Sequence, residues 1–319
     1  MFLPLITALI ATAAATDLLI PLYQYPLNNG AVWKPIEDAM TANPSLIHKI
    51  VINPDNGPGG KGFGIEDGWY KNGALNIATH KNAQLLGYVH TSTDGGVTRC
   101  NAPLAEVKAN ITRWSDWVAQ GVAVKGIFID EAPADSKNDC VAYMRELTDF
   151  IRNDDTLGFA KPRLVIFNPG GTGALQPYYD LKPTLILALE TCFTSAPRGS
   201  YDGCFGDGSG YERYDHEGIG SSIDKVLFPN IGKQNAASTA VMVHGFHGSN
   251  GPSAGLEATE AVLSSMIQAA VSRKIGALFF NTAWYNQFSD GPADIGTVAR
   301  LLNAANAGTS SKTFVKVRS

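Results

Sequence analysis

Eight times along this chain a short apolar, β-branched run is followed by a stretch with helical spacing, and that repetition restricts the fold more than any other feature. Strands are predicted at 18–25, 47–53, 84–91, 125–131, 163–168, 184–190, 239–244 and 276–281. Helices are predicted at 32–42, 72–81, 103–120, 139–153, 175–181, 220–227, 255–273 and 292–305. The third helix shows its buried face plainly. Leu104, Val107, Ile111, Trp114 and Val118 recur with helical spacing, and Glu106, Lys108, Arg113 and Asp116 fall between them, the kind of stripe that packs on a sheet. Most strand runs are apolar throughout, as expected when both faces of a parallel sheet are covered. Eight such units within 319 residues fit a closed (β/α)8 TIM barrel, a single domain over 16–319 with loop insertions at the C-terminal face. The longest insertion is predicted at 191–220. No G-x-G-x-x-G turn follows the first strand, which counts against an open dinucleotide-binding sheet.

Composition narrows the function. With 45% hydrophobic and 17% charged residues the chain can bury a large core. Its net charge of −4 provides no basic field for a polyphosphate, so nucleic acid is not an expected partner. Residues 1–10 are apolar but for Thr7, and Ala13-Ala14-Ala15 follows, so 1–15 reads as a cleavable secretory signal. The segment is too short for a membrane span, which needs roughly 20 apolar residues, so a secreted monomer without a membrane span is expected. An even count of four cysteines in an exported chain points to two disulfides, and Cys100 with Cys140 and Cys192 with Cys204 is the favoured pairing of the three possible. Their spacing is not that of a zinc ribbon. Asn110-Ile111-Thr112 is a glycosylation sequon on the third predicted helix. No His-Glu-x-x-His, EF-hand, Walker or Gly-x-Ser-x-Gly motif is present, so the sequence implies no metal or other cofactor and no serine esterase.

In such a barrel the chemistry sits where the strands end. Here those ends carry Tyr23 on strand one, Asn53 on strand two, Tyr88 and His90 on three, Asp130-Glu131 on four, Asn168 on five, Glu190 on six, His244 on seven and Asn281 on eight, with Trp284 and Tyr285 just beyond. Strand ends meet water and are often polar for that reason alone. Three carboxylates and two histidines around one mouth ask for more. A pair of carboxyl groups flanking a glycosidic bond divides the work of cleaving it: one protonates the leaving oxygen and the other attacks the anomeric carbon, at a separation of about 5–5.5 Å in retaining enzymes. Asp130 is the expected nucleophile and Glu190 the expected acid/base. Adjacent strand residues face opposite ways, so Glu131 is expected beside the cavity only if the strand end twists. There it would tune the other two acids or hold a cationic substrate; a structural ion pair is the alternative. His90 and His244 suit hydrogen bonds to hydroxyls or to a carboxylate. Tyr23, Tyr88, Trp284 and Tyr285 offer flat faces to sugar rings, with Asn53, Asn168 and Asn281 as further polar contacts.

Several strings on these strands resemble one family. They are LLIPLYQYP at 18–26, INPDNGPG at 52–59, GYVHT at 87–91, GIFIDE at 126–131 and FNPG at 167–170, together with Glu190. The chain is thereby similar to the spherulation-specific family 4 proteins of fungi and slime moulds, which include glycoside hydrolase family 135. That resemblance implies a (β/α)8 hydrolase acting internally on α-1,4-linked N-acetylgalactosamine in galactosaminogalactan, a cationic exopolysaccharide of fungal biofilms. The family's essential acids map by motif to Asp130, Glu131 and Glu190. Substrate assistance by an acetamido group is the competing mechanism, but it commonly uses acids two residues apart, whereas Asp130 and Glu131 are adjacent. Two other readings stay open: a non-catalytic carbohydrate-binding or cell-wall protein on the same barrel, and a hydrolase of a different polysaccharide.

Overall fold

The computed structural model describes residues 15–135, 140–171, 173–193, 214, 222–246, 258–282, 288–289 and 291–316. Nearly all of the segment read as a secretory signal, residues 1–14, as well as Cys204, Trp284, Tyr285 and nearly all of the 191–220 insertion lie outside them.

The strands are β1 (Asp17–Leu22), β2 (His48–Ile52), β3 (Ala83–His90), β4 (Val124–Asp130), β5 (Leu164–Phe167), β6 (Leu185–Cys192), β7 (Thr239–His244) and β8 (Ala277–Phe280). The helices that follow them in turn are α1 (Lys34–Ala42), α2 (Gly68–Ala78), α3 (Leu104–Ala119), α4 (Cys140–Asn153), α5 (Gln176–Tyr179), α6 (Phe228–Ile231), α7 (Glu260–Ser272) and α8 (Ile295–Lys316). Each strand pairs in parallel with the next and β8 closes on β1, giving a barrel in strict chain order. This is the (β/α)8 TIM barrel expected from the alternation.

The differences from expectation lie at element ends. β1 stops at Leu22, three residues short of the predicted limit, because the chain turns there toward a helical turn at Leu27–Gly30 in which Asn28 and Asn29 have φ of 53° and 59°. β6 runs to Cys192, two residues past Glu190, since its end keeps pairing with β7 as far as Cys192 with His244. The helix predicted at 220–227 is a π-helical segment, Ile223–Leu227, leading into α6. The last helix continues well past 305.

On α3 Val107, Ile111 and Trp114 are buried as expected, whereas Leu104 and Val118 are only half-buried and Trp117 reaches the interior, 1% exposed. Trp114 lies flat against β3, where a Cβ at Gly87 would fall 2.3 Å from its ring. Its indole N–H donates to the Tyr88 carbonyl at 2.8 Å. Only glycine lets the helix approach the strand this closely, and the approach fixes the part of β3 that carries Tyr88.

At the opposite end, buried polar side chains satisfy backbone groups that the sheet does not. Arg163 donates to the carbonyls of Ile151, Asp154, Leu157 and Phe159. Asn82 donates to Met40, Asn43 and Leu46. Thr16 and the Asn306 side chain exchange a pair of hydrogen bonds across the β1/β8 seam, at 3.1 and 2.9 Å.

Candidate active site

Parallel register decides which side chains share the mouth. Tyr88 pairs with Phe128 and His90 with Asp130, so alternate residues of β3 and β4 project to one face together. On the other side Glu190 pairs with Met242 and Cys192 with His244. A bulge at Ala188 interrupts the β6/β7 register just before Glu190. The bulge is held from the neighbouring loop: Gly173 N–H donates to the Ala188 carbonyl at 2.6 Å, and Glu190 N–H to Gly171 O at 3.0 Å. An extra residue at this point re-aims the side chains that follow it.

Asp130 is held at both oxygens. Tyr88 donates its hydroxyl proton to Oδ2 at 2.6 Å, and Asn168 donates Nδ2–H to Oδ1 at 2.8 Å. Asn168 is fixed in turn because its own oxygen accepts the Gly170 N–H at 2.9 Å. Burial pushes the Asp130 carboxyl up from 3.8 to about 6. Glu190 and Glu131 add repulsion, while the Tyr88 hydroxyl and the Glu131 N–H work the other way by stabilising the anion. Tyr23 meets Tyr88 edge to face at 5.7 Å. Its phenol is raised well above the ordinary value by burial, with Asp130, Tyr88 and Glu190 contributing.

Glu190 and His244 form a buried pair, with His244 Nε2 3.3 Å from Glu190 Oε1 and their side chains 2% and 3% exposed. The two carboxyl groups thus come from β4 and β6 at the same end of the barrel, near enough for Glu190 to act electrostatically on Asp130.

Glu131 leaves the strand. The pleat ends at Asp130, and Glu131 takes a left-handed φ of 53°, a conformation rare for a residue with a side chain. Its carbonyl accepts the Thr91 hydroxyl at 2.6 Å. Its carboxylate lies 3.6 Å from His90 Nδ1, and its Oε2 is buried without a hydrogen-bond donor. Alternation alone would turn Glu131 away from the face of Asp130; with the left-handed turn its carboxylate lies beside His90. His90 Nδ1 also contacts the Ser92 carbonyl, which can only accept, so that nitrogen carries a proton.

Asn53 uses its side-chain oxygen to close its own loop, accepting Gly57 N–H at 3.0 Å. Asn281 is buried, 2% exposed, and its backbone joins β7 to the following segment through Val243 and Phe246. Asn110 lies within α3, half-buried, with Arg113 donating to it. Cys100 and Cys140 are bonded as favoured, tying the loop after β3 to the start of α4. Cys192 is also in a disulfide. Sequence reasoning missed Arg99, which precedes the bonded Cys100 and donates from Nη2 to Pro169 O at 3.2 Å. The adjoining Gly95-Gly96 pair and Cys100 are the sequence signal that could have pointed to an ordered loop there. Among the described residues no group of three or more His, Cys, Asp or Glu is arranged to hold a metal ion, and no helix is long and apolar enough to cross a membrane.

Comparison with known families places this geometry. The sequence matches the family described as spherulation-specific family 4 over residues 17–300, from the first strand into the last helix. The chain belongs to that family. Among solved structures, Sph3 from Aspergillus clavatus, in complex with GalNAc, is 23% identical with a TM-score of 0.65, covering 92% of this chain and 99% of that one. A fungal endo-β-N-acetylglucosaminidase of glycosyl hydrolase family 18 is 13% identical with a TM-score of 0.43, covering 96% and 91%. A chitinase from Rhizomucor miehei is 12% identical with a TM-score of 0.46, covering 91% and 100%. A search of curated protein sequences returns no match.

Proposed function

We propose that this member of spherulation-specific family 4 is a secreted, endo-acting glycoside hydrolase that cleaves α-1,4-linked N-acetylgalactosamine in galactosaminogalactan. One observation carries the reading. Asp130 and Glu190 stand on β4 and β6 at a single mouth, close enough to interact, and each is held by a separate set of side chains. Two carboxyl groups in different surroundings are what a displacement in two steps requires. The GalNAc complex of the family-sized neighbour Sph3 supports the choice of sugar.

In the proposed reaction Asp130, ionised above about pH 6, attacks the anomeric carbon as the bond to the leaving oxygen breaks. Glu190 gives that oxygen its proton. Glu190, now a carboxylate beside His244, takes a proton from water, whose oxygen displaces Asp130 from the sugar and frees both acids. Tyr88 and Asn168 fix the plane of the attacking carboxylate, so it does not have to reorient during attack. Glu131, a partly exposed carboxylate beside His90, is suited to hold a positively charged amine of the polymer.

The test is to incubate the purified mature chain with galactosaminogalactan, chitin and α-galactan and to size the products. Internal shortening of galactosaminogalactan is expected. If all three polymers keep their length, the hydrolase reading is lost.

A further inference from the structure

We propose that Tyr25 and Trp69 form an accessory sugar-binding platform that grips the polysaccharide where it leaves the cleft; this rests on the glycosidase reading above for the identity of its ligand. Six large hydrophobic side chains are exposed among the described residues, and four of them, Tyr25, Leu27, Phe63 and Trp69, come from just two connections, those after β1 and β2. Tyr25 and Trp69 touch, their ring centres 5.8 Å apart and tilted by 53°.

These rings are braced rather than loose. Tyr25 rests edge to face on Tyr70 at 5.2 Å, and Tyr70 is buried against Trp33 at 6.1 Å. One carboxylate ties both platform residues down. Asp67 Oδ2 accepts the Tyr25 hydroxyl at 2.6 Å, while Oδ1 accepts the Trp69 backbone N–H at 2.9 Å as the cap of α2. Two aromatic rings fixed in place yet 39% and 37% exposed forgo burial that is otherwise favourable, and they lose little entropy when a ligand covers them.

Position and chemistry select the occupant. Tyr25 is two residues beyond Tyr23, no more than about 7 Å of extended chain, and Tyr23 meets the Tyr88 that holds Asp130. Trp69 stands in the first turn of α2, the end of that helix nearest the mouth. The platform therefore continues the cleft. Two rings are far too small for a stable protein interface, which buries upwards of about 1,000 Å². They match the C–H face of a sugar ring, and Asp67 and Asp55, both of which act electrostatically on the underlying Tyr70, favour a hexosamine with a free amine.

Trp69→Ala removes the larger ring from an exposed position and leaves the Asp67 cap on the backbone intact. Wild type and variant are compared in two measurements: retardation in native gels containing partially deacetylated galactosaminogalactan, chitosan or α-galactan, and steady-state cleavage of galactosaminogalactan against a short N-acetylgalactosamine oligosaccharide. The variant is expected to bind the polymer about tenfold more weakly, to show a KM for the polymer raised to match, and to keep kcat on the oligosaccharide within about twofold. Unchanged retardation, or equal losses on polymer and oligosaccharide, would overturn the platform. If the wild type cleaves nothing, the gels still decide: retardation that Trp69→Ala abolishes sustains the platform while the hydrolase reading falls, and no retardation of the wild type in any gel refutes the platform.

Discussion

The Tyr88 hydroxyl donates to Asp130 Oδ2 at 2.6 Å, so the phenol stabilises the ionised form of the carboxylate that burial disfavours. Removing the hydroxyl with Tyr88→Phe raises the Asp130 pKa further. A hydrogen bond to a charged group contributes roughly 1.5 kcal/mol, equivalent to about one pH unit. The acid limb of the pH–rate profile should therefore move up by about that amount, with activity at pH 5 reduced about tenfold and the alkaline plateau much less affected. An acid limb that stays in place in the variant would show that Asp130 is not the group whose ionisation limits the rate.

Asp130 also weighs on stability. Its folded pKa of about 6 lies above the unfolded 3.8, so the folded state binds a proton more tightly. The stabilisation linked to that proton is complete below pH 3.8 and is lost as pH rises through 6. At neutral pH the ionised carboxylate thus disfavours folding, by on the order of 3 kcal/mol. Asp130→Asn is expected to abolish hydrolysis while raising Tm at pH 7, with the gain shrinking toward pH 4. Thermal melts at the two pH values check the sign; a lower Tm at pH 7 than at pH 4, relative to wild type, contradicts it.

Glu190→Gln is expected to reduce kcat on the polymer by about 10² to 10⁴-fold, the usual contribution of a general acid. With an aryl glycoside whose leaving group needs no proton, the first step should recover much of that loss. Burst kinetics with such a substrate will separate the steps. Equal losses with both leaving groups would assign Glu190 some other part.

The Cys100–Cys140 bond closes 40 residues that include the whole of α3 and β4. A double Cys100→Ser/Cys140→Ser variant is expected to lose up to about 4 kcal/mol by the loop-entropy relation. Chemical denaturation measures it directly, and a midpoint equal to that of wild type would mean that the bond only pins the loop.

Gly87→Ala tests the contact between α3 and β3. The added methyl would sit 2.3 Å from the Trp114 ring, so overpacking is expected to cost about 1–3 kcal/mol. The shift should also disturb the Tyr88 carbonyl that Trp114 holds, lowering activity beyond the stability effect.

The barrel itself was legible because its cause is repetitive: apolar runs and amphipathic stripes such as that of Trp114 are one-dimensional patterns. The acids at the ends of β4 and β6 were legible for the same reason, since register follows from strand order. What sequence did not show depended on local backbone geometry. Nothing in the letters Asp130-Glu131 announces a left-handed φ, so alternation could only leave the direction of Glu131 conditional on a twist at the strand end. The bulge at Ala188 is held by loop contacts with Gly171 and Gly173, and the extension of β6 beyond Glu190 by continued pairing with β7, neither of which a periodicity encodes. The roles of Asn168 as a donor to Asp130 and of Asn53 as a loop fastener differ only in where each loop turns, and the two residues look alike in a sequence.

The seam between β1 and β8 bears on how the molecule is made. Asp17 and Leu18 find their partners at Ala277 and Leu278, and Thr16 clasps Asn306, 290 positions further on. A ribosome therefore delivers the first wall of the hollow long before the last, and β1 must wait with one edge unpaired until almost the entire polypeptide has emerged. The mouth of the barrel is thus complete only once β8 and the last helix have emerged, and the waiting strand is where chaperones would have most to protect.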